Sequence, residues 1–541
     1  MSIFSVFILK NTKYCQGVRQ FALRAFYFLQ SSHTIKGNQN CKGVKKTSMK
    51  PEYQSYRYTG EVCRLKSQSI VECRLPGSEI GSILAVQANA VATECGCADG
   101  EVRYGGKVLL CVVYEDADRK VCRMERGAEF FHKAEENAVT PACFAKALLS
   151  VENVTHRREG SGLYISVIVG AELPVYGGKQ IEYLCGGEDV CAKTEKIVVC
   201  NTVCVSGETE AEDEFEADYM GDILLHSENA VATLVTASAG ELTIEGELNL
   251  NVCVLKSDAG VCTYERILPI KMVIPTEEAF GHVFASARLR VSSAQLTATV
   301  DEEKGKSKVV FAYTLSADCF LASKAEIEVV ADAFSTGSEL LLTRANDGGR
   351  YLTRQTKCTE RVSGVAALAP SIDGEYALQA VLLPRAETVC KKTEKGFELE
   401  GAVLAEVLLV SADGYHKTCT LSLPFAFPVE ADGEELEADC IVSGLNIRRK
   451  NGGETEAEAT LKICLRSYAR QEWTYISEAR EGEAIEESDA AISVFLPRAG
   501  EDLWQVAKRL GRAPEELQKS NPNLQFPVKE GERIFVYRQI K

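Results

Sequence analysis

Residues 80–125 and 220–265 carry one pattern at a constant offset of 140, and no gap is needed to align them. IGSILAVQANAVATECGCADGEVRYGGKVLLCVVYEDADRKVCRME is matched by MGDILLHSENAVATLVTASAGELTIEGELNLNVCVLKSDAGVCTYE. Gly81 matches Gly221, Asn89 to Thr93 match Asn229 to Thr233, Gly106 matches Gly246, and Val121-Cys122 match Val261-Cys262. A third, weaker copy runs from Lys395 to Phe427. A repeat of this length means that one supersecondary unit was duplicated, so the copies should share a fold.

The period within each copy says what that fold is. Leu242, Ile244, Leu248, Leu250, Val252 and Val254 all fall on even positions, as do Val108, Leu110, Val112 and Tyr114. Val403, Ala405, Val407 and Leu409 repeat the spacing. Period two is the mark of a strand with one buried face. Asp99-Gly100, Asp373-Gly374, Asp413-Gly414 and Asn451-Gly452 supply the positive φ of tight turns. Further strands follow each core: Leu163–Leu173, Lys308–Phe320 and Ala459–Ala469. The expected fold is mainly β, with three repeated antiparallel, sandwich-like β-domains.

Two acidic stretches, Ser206–Asp218 and Ser477–Ala490, read as extended, self-repelling joints. With them the chain of 541 residues divides into 49–205, 206–350, 351–476, an acidic linker 477–490 and a terminal module 491–541. The first 50 residues hold nine Lys or Arg and no acid, against a net charge of -16 for the whole. Residues 1–48 make a poor secretion signal and are expected to be a non-native or disordered extension, with translation starting at Met49.

The acidic remainder disfavours nucleic acid as a partner, and no apolar run is long enough for an integral membrane span. The 21 cysteines contain no CxxC pair, and many sit in apolar runs, such as Cys111, Cys253 and Cys464. That is the usage of buried thiols in a reducing cytosol, without zinc-ligand spacing. His132, His156, His226, His282 and His416 share no motif with a nucleophile. YGGK at Tyr104–Lys107 and Tyr176–Lys179 lacks the P-loop pattern and reads as a turn or bulge. No catalytic residue, metal site or cofactor is expected.

From Ala491 the grammar changes to strand, helix, helix, strand. Asp502 reads as an N-cap, Leu503, Val506, Ala507 and Leu510 as one helical face, Gly511 as the helix end and Pro514 as the next helix start. Leu503, Trp504 and Leu517 read as the small core. This segment resembles a LysM domain in Gly500-Glu501-Asp502-Leu503-Trp504, Glu516-Leu517, Asn521-Pro522-Asn523 and Gly531. The resemblance implies a βααβ LysM module whose binding loops are Gly500, Glu501, Asp502 and Leu503 with Asn521 and Pro522. Glycan-binding members carry Gly-Asp-Thr where this chain has Gly500-Glu501-Asp502.

The β-repeats followed by this module resemble the SPOCS-repeat proteins of endospore-forming bacteria. That resemblance implies a non-enzymatic scaffold in the mother-cell cytosol, at the forespore surface. Its partners would be spore-coat morphogenetic proteins, including the spore morphogenetic ATPase. Binding of N-acetylated cortex glycan through the module is the alternative, and an enzyme housed in the β-domains is a third class.

Overall fold

The computed structural model describes residues 50–537 apart from 78–79, 219, 257–259, 280–282, 302, 304, 371–375, 451–453 and 486–489. The expectations for residues 1–48, the Asp373-Gly374 and Asn451-Gly452 turns and His282 lie outside the described residues.

The chain is mainly β, built from antiparallel sheets, and one strand plan recurs three times. The first unit contains β1 (Lys50–Pro76), β2 (Ile80–Ala98), β3 (Glu101–Asp116), β4 (Val121–Glu135), the short β5 (Phe144–Ala145), β6 (Leu148–Glu159) and β7 (Gly162–Glu188). β2, β3 and β4 form a meander, while β7 lies between β1 and β6 in a second sheet. The second unit repeats this with β8 (Val190–Asp218), β9 (Asp222–Ser238), β10 (Glu241–Leu255), β11 (Val261–Pro275), β12 (Val283–Asp301) and β13 (Lys306–Ser335). The third does so with β14 (Ser338–Ala369), β15 (Tyr376–Thr393), β16 (Gly396–Ser411), β17 (His416–Val429), β18 (Glu435–Arg449) and β19 (Thr455–Ala484). In the third unit a short β14–β17 pairing joins the two sheets edge to edge.

Register makes the equivalence specific. Tyr114 pairs with Cys122, Val254 with Cys262 and Leu409 with Lys417, at offsets of 140 and 295 from the first copy. The closing strands β7, β13 and β19 follow one another at 146, so that Val169, Leu315 and Leu461 are all buried. In each unit the meander and the second sheet share one apolar core. The even-numbered residues from Leu242 to Val254 named above are all buried in it.

One glycine per unit is dictated by how closely the strands approach. A Cβ at Gly106, Gly246 or Gly401 would overlap the carbonyl oxygen of Val91, Val231 or Glu387 on the neighbouring strand. Both YGGK stretches lie within strands, each opposite an extra residue, Thr93 or Val62, in the partner strand.

The acidic stretches are not free joints. Ser206–Asp218 is the second half of β8, hydrogen-bonded along β13, and Ser477–Ala484 continues β19. Their acids alternate with inward residues: Glu208, Glu210, Glu212, Glu214, Glu216 and Asp218 are exposed, while Phe215 packs on the second core. The strands of the three units run 50–188, 190–335 and 338–484, the second and third beginning ahead of 206 and 351.

Equivalent positions of the three units meet each other. Leu184, Val330 and Ile476, spaced by 146, fill one buried cluster. Tyr183, Val329 and Tyr475 fill the next. Val113, Cys253 and Leu408 from the middle strands of the three meanders meet in a third. Such meetings put the units around a common centre.

Candidate functional site

The terminal module consists of β20 (Ile492–Phe495), α1 (Leu503–Leu510), α2 (Pro514–Ser520) and β21 (Ile534–Tyr537), with β20 antiparallel to β21. Asp502 caps α1 through a reciprocal pair of bonds with Gln505, and Gly511 ends it at φ 58. Val506, Ala507, Leu517, Val528 and Ile534 form its core.

The expected loop residues are largely engaged in holding the module itself. Gly500 N–H donates to the Val528 carbonyl (2.9 Å), and Val528 N–H donates to that of Glu501 (3.0 Å). The Glu501 carboxylate accepts from Arg498 N–H and from Arg509 Nη2, both at 2.8 Å. Leu503 is partly buried against the core. Asn521 is buried, and its amide bridges α2 to β21: Nδ2 donates to Leu517 O (3.0 Å) and Phe535 O (2.8 Å), while Oδ1 accepts from Phe535 N–H (2.8 Å). Pro522 is exposed. No hydrogen bond among the described residues joins the 500–503 loop to 521–522.

Sequence reasoning missed where the module sits. Phe334, near the end of β13, enters its core, and the Trp504 ring meets the Phe334 ring edge-on at 5.1 Å. Trp504 Nε1 donates to Asp332 Oδ2 (2.9 Å), and Lys508 Nζ donates to both Asp332 oxygens (2.6 and 2.8 Å). Trp504 therefore belongs to a contact with the second unit as well as to the small core. The β8–β13 register slips between Val330 and Asp332, which re-aims the carboxylate. Burial alone would raise its pKa, but the Lys508 and Trp504 donors hold it below the usual range. No local signal marks Asp332 as the seat of the module, because Trp504 and Lys508 lie over 170 residues away.

A charged centre joins the three units. Glu437 on β18 accepts from Arg350 on β14 (2.6 Å), from Arg288 on β12 (2.8 Å) and from Arg64 on β1 (3.3 Å). The buried Arg466 stands 3.6 Å away and bonds Asp439 at 2.7 Å. Burial pushes the Glu437 carboxyl up, but the surrounding guanidiniums outweigh it and hold the group well below the usual range.

A cleft of about 380 Å³ lies between the first and second units and is lined by Gln87, Lys107, Glu125, His226, Glu228 and Ser292 among others. At the equivalent junction of units two and three, Glu265 receives Gly444 N–H (2.9 Å) and Asn249 donates to Val442 O (2.6 Å). Burial raises the thiols of Cys253, Cys319 and Cys440 to about 12, which holds them as thiols rather than as nucleophilic thiolates. Among the described residues no group of three acidic, His or Cys side chains could hold a metal ion.

No protein family, curated protein or solved structure matches the chain. No described helix is long and apolar enough to cross a membrane.

Proposed function

We propose that this protein is a non-enzymatic, SipL-like scaffold of endospore coat assembly. In this reading it acts in the mother cell at the forespore surface. The β-units hold coat proteins, and the LysM-like module attaches the array to the spore morphogenetic ATPase. The observation that carries the reading is the meeting of three duplicated units at equivalent positions, with the terminal module seated against the second of them. Such a body holds its exposed acidic strands at fixed separations, as an assembly platform requires.

Glycan binding by the module is the less supported alternative. Asn521 has its amide committed to the backbone, and the Glu501 carboxylate already holds Arg498 N–H and Arg509.

The test is co-sedimentation of the full chain with polymerised ATPase and, separately, with purified peptidoglycan. Binding to the polymer, together with a fluorescent ring around the forespore, is the expected result. Retention on peptidoglycan alone would reject it.

A further inference from the structure

The two-stranded sheet of the terminal module has one face in the core and one face outward. Phe495, Ile534 and Val536 pack inward. Ile492, Val494 and Leu496 lie on the other face of β20 and its continuation, with Arg498 following at the same spacing. Phe535 and Tyr537 lie on the matching face of β21, preceded by Arg533. Ile492 pairs with Tyr537 and Val494 with Phe535, so the apolar side chains form a cross-strand ladder. They are between 42% and 66% exposed, which is far from the environment such side chains favour.

The charge on this face runs against the rest of the chain. None of its seven side chains is acidic, although the chain has 77 acids. Residues 491–541 hold nine basic and six acidic residues, a net of +3, while residues 49–490 hold 44 and 71, a net of -27. Arg498 and Arg533 are exposed, and neither side chain has an ion-pair partner among the described residues.

We propose that the outward face of β20–β21 is a peripheral docking surface for an anionic lipid bilayer. Five side chains fall well short of the roughly 800 Å² per partner that a stable protein pair buries, so a second copy is the poorer occupant. Aromatic rings beside arginines suit the lipid–water boundary, where the apolar ladder enters the acyl edge and the guanidiniums meet headgroup phosphates. The acidic body does not prevent this, because its repulsion is screened beyond about 8 Å at physiological salt. This surface is separate from the scaffold reading and stands or falls without it.

The experiment is sedimentation of the full chain with vesicles of phosphatidylcholine containing about a third phosphatidylglycerol, and with phosphatidylcholine alone. The expected result is partition onto the anionic vesicles, weakened by salt. Phe535→Glu and Val494→Glu lie on the exposed face, so a far-UV spectrum should show the fold retained, and each should weaken partition about tenfold or more. Arg498→Gln and Arg533→Gln should each weaken it about fivefold. Absence of partition, partition unchanged by Phe535→Glu, or equal partition onto neutral vesicles would overturn the proposal. So would a native dimer in analytical ultracentrifugation that Phe535→Glu converts to monomer, since the face would then be a contact between copies.

Discussion

At the scale of single residues, Glu437 does the most to join distant parts of the chain. Arg64, Arg288 and Arg350 belong to three different units, and all three meet this one carboxylate, with Glu61, Glu172 and Glu435 sharing the neutralisation. Replacing it by Gln keeps the shape but removes one negative charge from the centre of a cluster in which Glu61, Glu172, Glu435 and Asp439 remain. Glu437→Gln should therefore cost about 1.5–3 kcal/mol in denaturant unfolding, the loss of charge-assisted hydrogen bonds. Gly246 illustrates the opposite sort of constraint, one of space. Gly246→Ala puts a methyl group against the Val231 carbonyl and should cost about 1–3 kcal/mol. Gly96→Ala, in a strand with nothing within 4 Å of the new atom, should change the denaturation midpoint little. Glycines that looked alike in the sequence are separated by what the neighbouring strand brings near them.

At the scale of elements, helix α1 was readable and its seat was not. Asp502, Gln505 and Gly511 define its ends within ten residues, so local chemistry suffices. Its contact with β13 depends on a bulge that turns one aspartate toward Trp504 and Lys508. Asp332→Ala removes the acceptor of both, at a cost of about 1–3 kcal/mol to the contact. Amide hydrogen exchange in α1 should speed up while exchange in β10 stays unchanged. Equal acceleration in both would mean that Asp332 supports the whole fold rather than the seat. The acidic half of β8 is the element the sequence reading mistook. Acid at every second position from Glu208 to Asp218 is a strand signal, because the residues between them face a core. Charge density hid a period that was there to be counted.

At the scale of the molecule, ionisation and apolar burial both join the units. Glu437, Asp318, Glu435 and Asp439 have their carboxyls held below their ordinary values by neighbouring cations. The folded pKa lies below the unfolded one, so between the two the unfolded chain binds more protons. The stability these groups supply is full above the ordinary carboxylate range, near pH 4 to 4.5, and is lost as pH falls below it. Denaturant midpoints should thus hold between pH 6 and 8 and drop steeply below about pH 4. The shared apolar clusters lead to a second expectation. A chain shortened to residues 49–336 would expose Leu184, Val330 and Cys253, which in the whole protein meet Ile476 and Leu408. Light scattering should show that it associates, whereas the full chain does not; a monodisperse shortened chain would mean that the units fold independently.

The sequence by itself determined the core strands of the repeats, their inward faces, the 140-residue offset of the first two copies and the helix ends of the terminal module. Each of these is set by residues within a hairpin or a helical turn, where period two, a turn glycine or a capping side chain acts directly. The tertiary structure alone decided which faces of the three units meet, that Arg64, Arg288 and Arg350 converge on one carboxylate, and where the module is seated. An apolar side chain turned toward its own core and one turned toward another unit obey the same local rule. Only the packing of strands some 146 residues apart tells Val329 from Leu315.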